Sequence, residues 1–144
     1  MPNHCDQKVT FRGPTNLIIR LHAAVEAGQL LQAVRPMPFA ESDWYNWCNT
    51  NWSTKWDICD SQIINQSWDI ETPYWMLQDK CDELEFTFTC WTAWSPPTPV
   101  WEDIFEKGVS VTAEYMEQGW GLQGTFVDGK TTEWEPREIV NECY

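Results

Sequence analysis

Apolar and polar positions follow one another along this chain with a period that changes from segment to segment, and the changes mark its elements. Over residues 7–12 the period is two. Val9 and Phe11 fall on one side, and Lys8, Thr10 and Arg12 on the other. This predicts a half-buried strand, closed by Gly13-Pro14. Thr15 can then cap a helix, in which Leu17, Leu21, Ala24 and Val25 recur at helical spacing and Gly28 marks the stop. Residues 29–41 read as an extended connection, because Pro36 and Pro38 oppose a helix there. A short helix over 43–52 follows Ser42. It sets Trp44, Cys48 and Trp52 on one face, expected to look into the core, with Trp47 beside them.

Residues 56–70 look strand-like through Ile58, Ile63, Ile64 and Trp68, and a polar stretch with Pro73 and Lys80 follows. The clearest strand is 83–91. Leu84, Phe86, Phe88 and Cys90 face inward there, and Glu83, Glu85, Thr87 and Thr89 face outward. Ser95-Pro96 predicts a helix start. That helix runs to about Lys107, burying Val100, Trp101, Ile104 and Phe105 and exposing Glu102, Asp103 and Glu106. Val109, Val111, Ala113 and Tyr115 alternate as a further strand. Asp128-Gly129 joins 121–127 to 130–134 as a two-residue hairpin. The tail, 135–144, is acidic and reads as short helix or coil.

The order is β-α-(helical insertion)-β-β-α-β with a hairpin appended. It predicts an α+β fold, a split β-α-β sandwich with helices on one face of an antiparallel sheet. Residues 1–144 read as a single domain, with the insertion at about 29–56 and the C-terminal hairpin and tail at about 117–144.

Composition adds two things. Eleven tryptophans and a hydrophobic fraction of 42% supply a core, so disorder is not expected despite a net charge of −13. The charge is also uneven: residues 1–40 carry +2 and residues 41–144 carry −15. Such a field repels phosphate backbones and attracts basic surfaces, which disfavours direct nucleic-acid binding and favours a basic protein partner. No apolar run approaches the roughly 20 residues of a membrane-spanning helix, so no membrane partner is expected. The start Met1-Pro2-Asn3-His4-Cys5-Asp6 lacks a secretory pattern, which leads us to expect a cytoplasmic product.

Catalytic chemistry finds little purchase. The six cysteines contain no C-x-x-C pair and read mostly as buried free thiols. His4 and His22 are the only histidines. His4-Cys5 could join Cys59 or Cys90 at a metal, but the paired spacing of zinc or iron–sulfur sites is missing, so neither metal nor cofactor is expected. His22 reads as a packed or surface side chain. There is no G-x-S-x-G and no phosphate-cradling glycine loop. Asp57 with Asp60, and Asp82 with Glu83 and Glu85, read as solvated acids in a chain rich in them. Binding is therefore expected rather than catalysis.

Four phrases carry a family likeness: Met1-Pro2-Asn3-His4-Cys5, Trp44-Tyr45-Asn46-Trp47-Cys48, Asn51-Trp52-Ser53-Thr54-Lys55-Trp56-Asp57 and Thr92-Ala93-Trp94-Ser95-Pro96-Pro97. Together they resemble the YubB-like proteins of phages and plasmids. The resemblance implies a ferredoxin-like domain, a name for the fold and not for a cluster. It also implies a mobile-element accessory protein of the bacterial cytoplasm, and brings no enzymatic activity with it. His4 stands where that family usually has an aromatic, and residues 66–80 are individual to this chain.

Two functional expectations follow. In the first, Asp79, Asp82, Glu83, Glu85, Glu102, Asp103 and Glu106 form an acidic, DNA-mimic face that blocks a basic host protein, a nuclease or CRISPR-type effector. In the second, Trp44, Trp56, Trp91 and Trp94 line a pocket for a nucleotide or metabolite. Trp68 and Trp91 are expected on the outer face of the sheet.

Overall fold

The computed structural model describes residues 3–117, 119 and 121–134. The expected acidic tail and Cys143 lie outside them. The fold is mixed α+β. Its elements are β1 (His4–Pro14), α1 (Thr15–Glu26), α2 (Leu30–Val34), α3 (Trp44–Asn51), β2 (Cys59–Gln66), α4 (Tyr74–Lys80), β3 (Glu83–Ala93), α5 (Thr98–Glu106), β4 (Ser110–Glu117), β5 (Leu122–Val127) and β6 (Lys130–Trp134). The strands form one six-stranded sheet in the order β2-β3-β1-β4-β5-β6. Every neighbouring pair is antiparallel.

Alternation decides which face is covered. Val9 and Phe11 on β1 pair in register with Phe88 and Phe86 on β3 and with Ala113 and Val111 on β4, and all six are buried. Phe11 meets Trp101 of α5 at 5.7 Å, and Phe86 meets His22 of α1 at 5.1 Å. Both long helices therefore pack on this one face. The intervening positions, Lys8, Thr10 and Arg12 with Thr89, Thr87 and Glu85, lie on the face left bare. The hairpin turn is built as its sequence requires. Asp128 and Gly129 both have positive φ, 46° and 89°, the geometry that matches strand twist. The Asp128 carboxylate accepts from Val111 N–H at 2.8 Å.

The structure corrects several expectations. Residues 30–34 are helical, not extended, because Pro36 constrains the backbone only from residue 35 onward. Asp57 caps α2 from a distance, accepting from Leu31 and Gln32 N–H at 2.9 Å each. It also accepts from Ile58 N–H at 2.8 Å. Desolvation nonetheless raises its pKa above the usual aspartate value. Stability linked to Asp57 is thus fully present in acid and lost as pH rises through the folded-state pKa. Asp57→Asn is expected to cost about 1–3 kcal/mol by mismatching one of these N–H donors. It should also flatten that step in a series of urea titrations against pH.

Residues 74–80 form α4, where a polar connection was expected. α5 begins at Thr98 rather than beside Ser95, whose hydroxyl donates to the Ser53 carbonyl instead of capping. Phe105 is exposed, lying against Gly129 of the hairpin rather than in the core. Trp44 is exposed too, although Cys48 and Trp52 of the same stripe are buried. Trp68 is buried against His22 and Phe86, so it is not on the bare face.

Gly124 carries a packing demand. A Cβ there would lie 2.5 Å from the Tyr115 ring. Tyr115 crosses this gap to donate its hydroxyl proton to Glu133 on the next strand. Gly124→Ala is expected to lower stability by about 1–3 kcal/mol through this clash, as measured by thermal melting. The five described cysteines are free thiols. Among the described residues, no helix is long and apolar enough to cross a membrane.

Candidate docking surface

A stretch rich in exposed acids lies where β2 ends, α4 crosses and β3 begins. Chain geometry there follows from a few ties. Ser67 N–H donates to Glu85 O at 2.8 Å, and Glu85 N–H donates to Ser67 Oγ at 3.0 Å. These bonds fasten the loop to β3. Trp68 then enters the core as its anchor. Asp69 closes a turn, receiving Thr72 N–H at its carbonyl and Glu71 N–H at its carboxylate, each at 3.0 Å. Pro73 precedes α4, which buries Leu77 and little else. Past its end, Thr15 Oγ donates to Cys81 O at 2.6 Å.

With one face of so short a helix committed to Leu77, its other apolar residues have no core to enter. Ile70 is 81% exposed, Trp75 73% and Tyr74 48%. Six carboxylates surround them in sequence and all are exposed: Asp69, Glu71, Asp79, Asp82, Glu83 and Glu85. Trp75 and Asp79 share one side of α4 at i, i+4. Arg12 and Lys80 are the cations of this end. Arg12 pairs with Glu83 at 2.7 Å, but both side chains are more than half exposed, so the pair neutralises charge without much stabilisation. Aromatic side chains held out of the core in a segment with a surplus of carboxylates have the composition of a protein-binding surface.

The seven acids expected to form one face divide into two groups. Asp79, Asp82, Glu83 and Glu85 run around this end of the sheet, with Glu83 and Glu85 on the bare face. Glu102, Asp103 and Glu106 sit on α5, which packs on the opposite face. Asp103 is moreover taken up internally by a bidentate pair with Arg35, at 2.7 and 2.9 Å. Hydrogen bonding to Asp103 raises the Arg35 pKa further. The outward alternation of β3 and the helices lying on one face were both legible in the sequence, and together they already set the two groups apart.

The four tryptophans of the second expectation meet only in part. Trp91 donates its indole N–H to Asp60 at 2.8 Å and is stacked by His4 at 3.6 Å. Trp56 approaches Trp91 edge-on at 6.4 Å. Lys55 lies 5.0 Å over Trp56 and 5.8 Å over Tyr45, which in turn touches Trp44 at 6.0 Å. Trp94 stands half exposed beyond the end of β3. On the bare face, Trp91 borders an open groove of about 730 Å³ whose charged lining is Lys8 with Asp6, Asp60 and Glu114. None of Trp44, Trp56 and Trp94 lines it. Among the described residues, no group of three His, Cys, Asp or Glu side chains is placed to hold a metal ion.

Ile70, Tyr74 and Trp75 were missed by sequence reasoning. They follow neither helical nor strand period, and an aromatic pair in a stretch without a period was the available signal. No protein-family model, characterised protein or solved structure matches this chain.

Proposed function

We propose that this is a non-enzymatic binding protein that docks onto a basic surface of a host nucleic-acid-handling or defence protein, of the nuclease or CRISPR-effector class. The docking surface is the acidic end formed by residues 67–85. One observation carries the reading: Ile70, Tyr74 and Trp75, which the fold leaves in water, share the segment 67–85 with six exposed carboxylates. Carboxylates steer a basic partner and compete with its phosphate ligand, while buried aromatics hold the contact. The mobile-element setting and the bacterial cytoplasm come from the family likeness of the sequence. A ferredoxin-like classification is supported by the order β2-β3-β1-β4 with α1 and α5 on one face, extended by the β5–β6 hairpin.

Affinity capture from a bacterial lysate tests the proposal. Partner recovery should fall as salt rises. It should be lost with Asp79→Lys/Asp82→Lys/Glu85→Lys and kept with Glu102→Lys/Glu106→Lys. Equal loss in both variants, or in neither, sinks the proposal.

A second reading is favoured by Trp91, whose ring is fixed by Asp60 and His4 beside the open groove. In it, a nucleotide or metabolite is bound there and sequestered. Saturable quenching of tryptophan emission that Trp91→Phe abolishes would support it, and silence across a metabolite panel would remove it.

A further inference from the structure

The helix layer holds a cavity of about 150 Å³ between α1, α2 and the end of α5. Its buried lining is Leu21, Ile104 and Val109. On α1, Leu17, Arg20, Leu21 and Ala24 fall at i, i+3, i+4 and i+7, so one helix face supplies a whole wall. Arg20 belongs to that stripe, and Lys107 follows the last turn of α5. Both cations are exposed, at the rim of an apolar hollow.

The lining is selective in its chemistry. Seven of its nine residues are apolar and the other two are the cations. No carboxylate takes part, in a chain with 22 acids against nine lysines and arginines. Arg12 and Arg35 are taken up by Glu83 and Asp103. Arg20 and Lys107 make no ion pair or side-chain hydrogen bond among the described residues. The lining side chains thus offer a guanidinium, an ammonium and no acceptor. The end of α5 competes little for them or for an anion. Its Ile104 and Phe105 carbonyls already accept from Lys107, Gly108 and Val109 N–H.

We propose that this cavity binds a small amphiphilic anion, a monocarboxylate with an apolar body of about five or six carbons. An apolar cavity of this volume holds a body about the size of benzene. The body covers Leu21, Val34 and Ile104, and the carboxylate accepts from Arg20 on one wall and Lys107 on another. These are charge-assisted bonds to donors with no other protein partner. A carboxylate suits a lining of donors because it only accepts. A peptide chain end fits less well, since its N–H groups meet no acceptor side chain here. None of these residues belongs to the segment 67–85, so the inference stands or falls apart from the docking reading.

The test titrates 4-methylpentanoate into the full chain, labelled with ¹⁵N and with ¹³C at its methyl groups. Its uncharged amide, 4-methylpentanamide, and acetate are the controls. Saturable shifts are expected at the methyls of Leu21, Val34 and Ile104 and at the Arg20 Nε–H. The amide should bind at least about tenfold more weakly, and acetate should leave the methyls unmoved. Arg20→Gln/Lys107→Gln should weaken binding by a similar factor. Its folded spectrum should stay intact, because both side chains are exposed.

No saturable shift, shifts confined to other methyls, an equal response to the amide, or undiminished binding by the double variant would each overturn the inference. N-acetylglycyl-leucine separates the two sources of such a carboxylate. Weaker binding than that of 4-methylpentanoate supports a free acid. Tighter binding makes the occupant a chain end and overturns the assignment.

Discussion

Trp101→Ala is expected to lower the free energy of unfolding by about 3–5 kcal/mol, the largest single loss in the molecule. Trp101 is fully buried on α5 and meets the edge of Phe11 on the central strand. It joins the helix layer to the strand around which the sheet is ordered. Truncation removes a large apolar area and leaves a cavity between layers that cannot fully close. A domain of this size has about 5–15 kcal/mol in all, so much of its stability is at stake. The indole N–H of Trp101 makes no hydrogen bond, although it is buried. Trp101→Phe therefore sheds an unsatisfied donor while keeping most of the ring, and should cost less than half as much as the alanine variant. Urea unfolding monitored by circular dichroism measures both. A Trp101→Ala loss below about 1 kcal/mol would contradict this account of the core.

The same physics explains what could be read in the sequence. β1, β3 and β4 are each half-buried, so the period of two written in their residues is the structure itself. α5 carries its stripe through Val100, Trp101 and Ile104, though not Phe105, and α1 carries its own through Leu21 and Val25. Asp128-Gly129 specifies its hairpin because both positions must take positive φ. The elements that stayed hidden are stabilised from elsewhere. α2 has five residues and takes its cap from Asp57, more than twenty positions away. α4 has seven residues and is fixed by Leu77 packing among residues it does not adjoin in sequence. Helices this short have little intrinsic stability, so local propensity cannot announce them.

The candidate site divides in the same way. That the last two thirds of the chain is acidic was evident from composition. Which acids share a surface depends on α5 and the outer positions of β3 lying on opposite faces, which follows from the expected helices on one face and from Glu83 and Glu85 facing outward. Glu26 lies at i, i+4 from His22, a spacing visible in the sequence. The contact between His22 and Gln66 spans 44 positions, and no local pattern joins them.

Trp75→Ala is expected to weaken partner capture by roughly 30-fold, about 2 kcal/mol, while leaving stability within about 0.5 kcal/mol of wild type. The argument turns on exposure. At 73% exposed, Trp75 gives the folded chain almost nothing by burial. It keeps a large apolar ring in water that only a partner can cover. The surrounding carboxylates act at longer range, so Asp79→Asn should slow association and weaken the salt dependence with a smaller effect on dissociation. Trp75→Ala should do the opposite, mainly speeding dissociation. Surface plasmon resonance with the captured partner separates the two rates. Trp91→Ala and Trp94→Ala provide the contrast. If they reduce capture as much as Trp75→Ala does, the contact lies at the far end of the sheet and the acidic end is not the docking surface. A loss confined to Trp75 and the neighbouring acids would leave the bare-face groove with no part in partner binding.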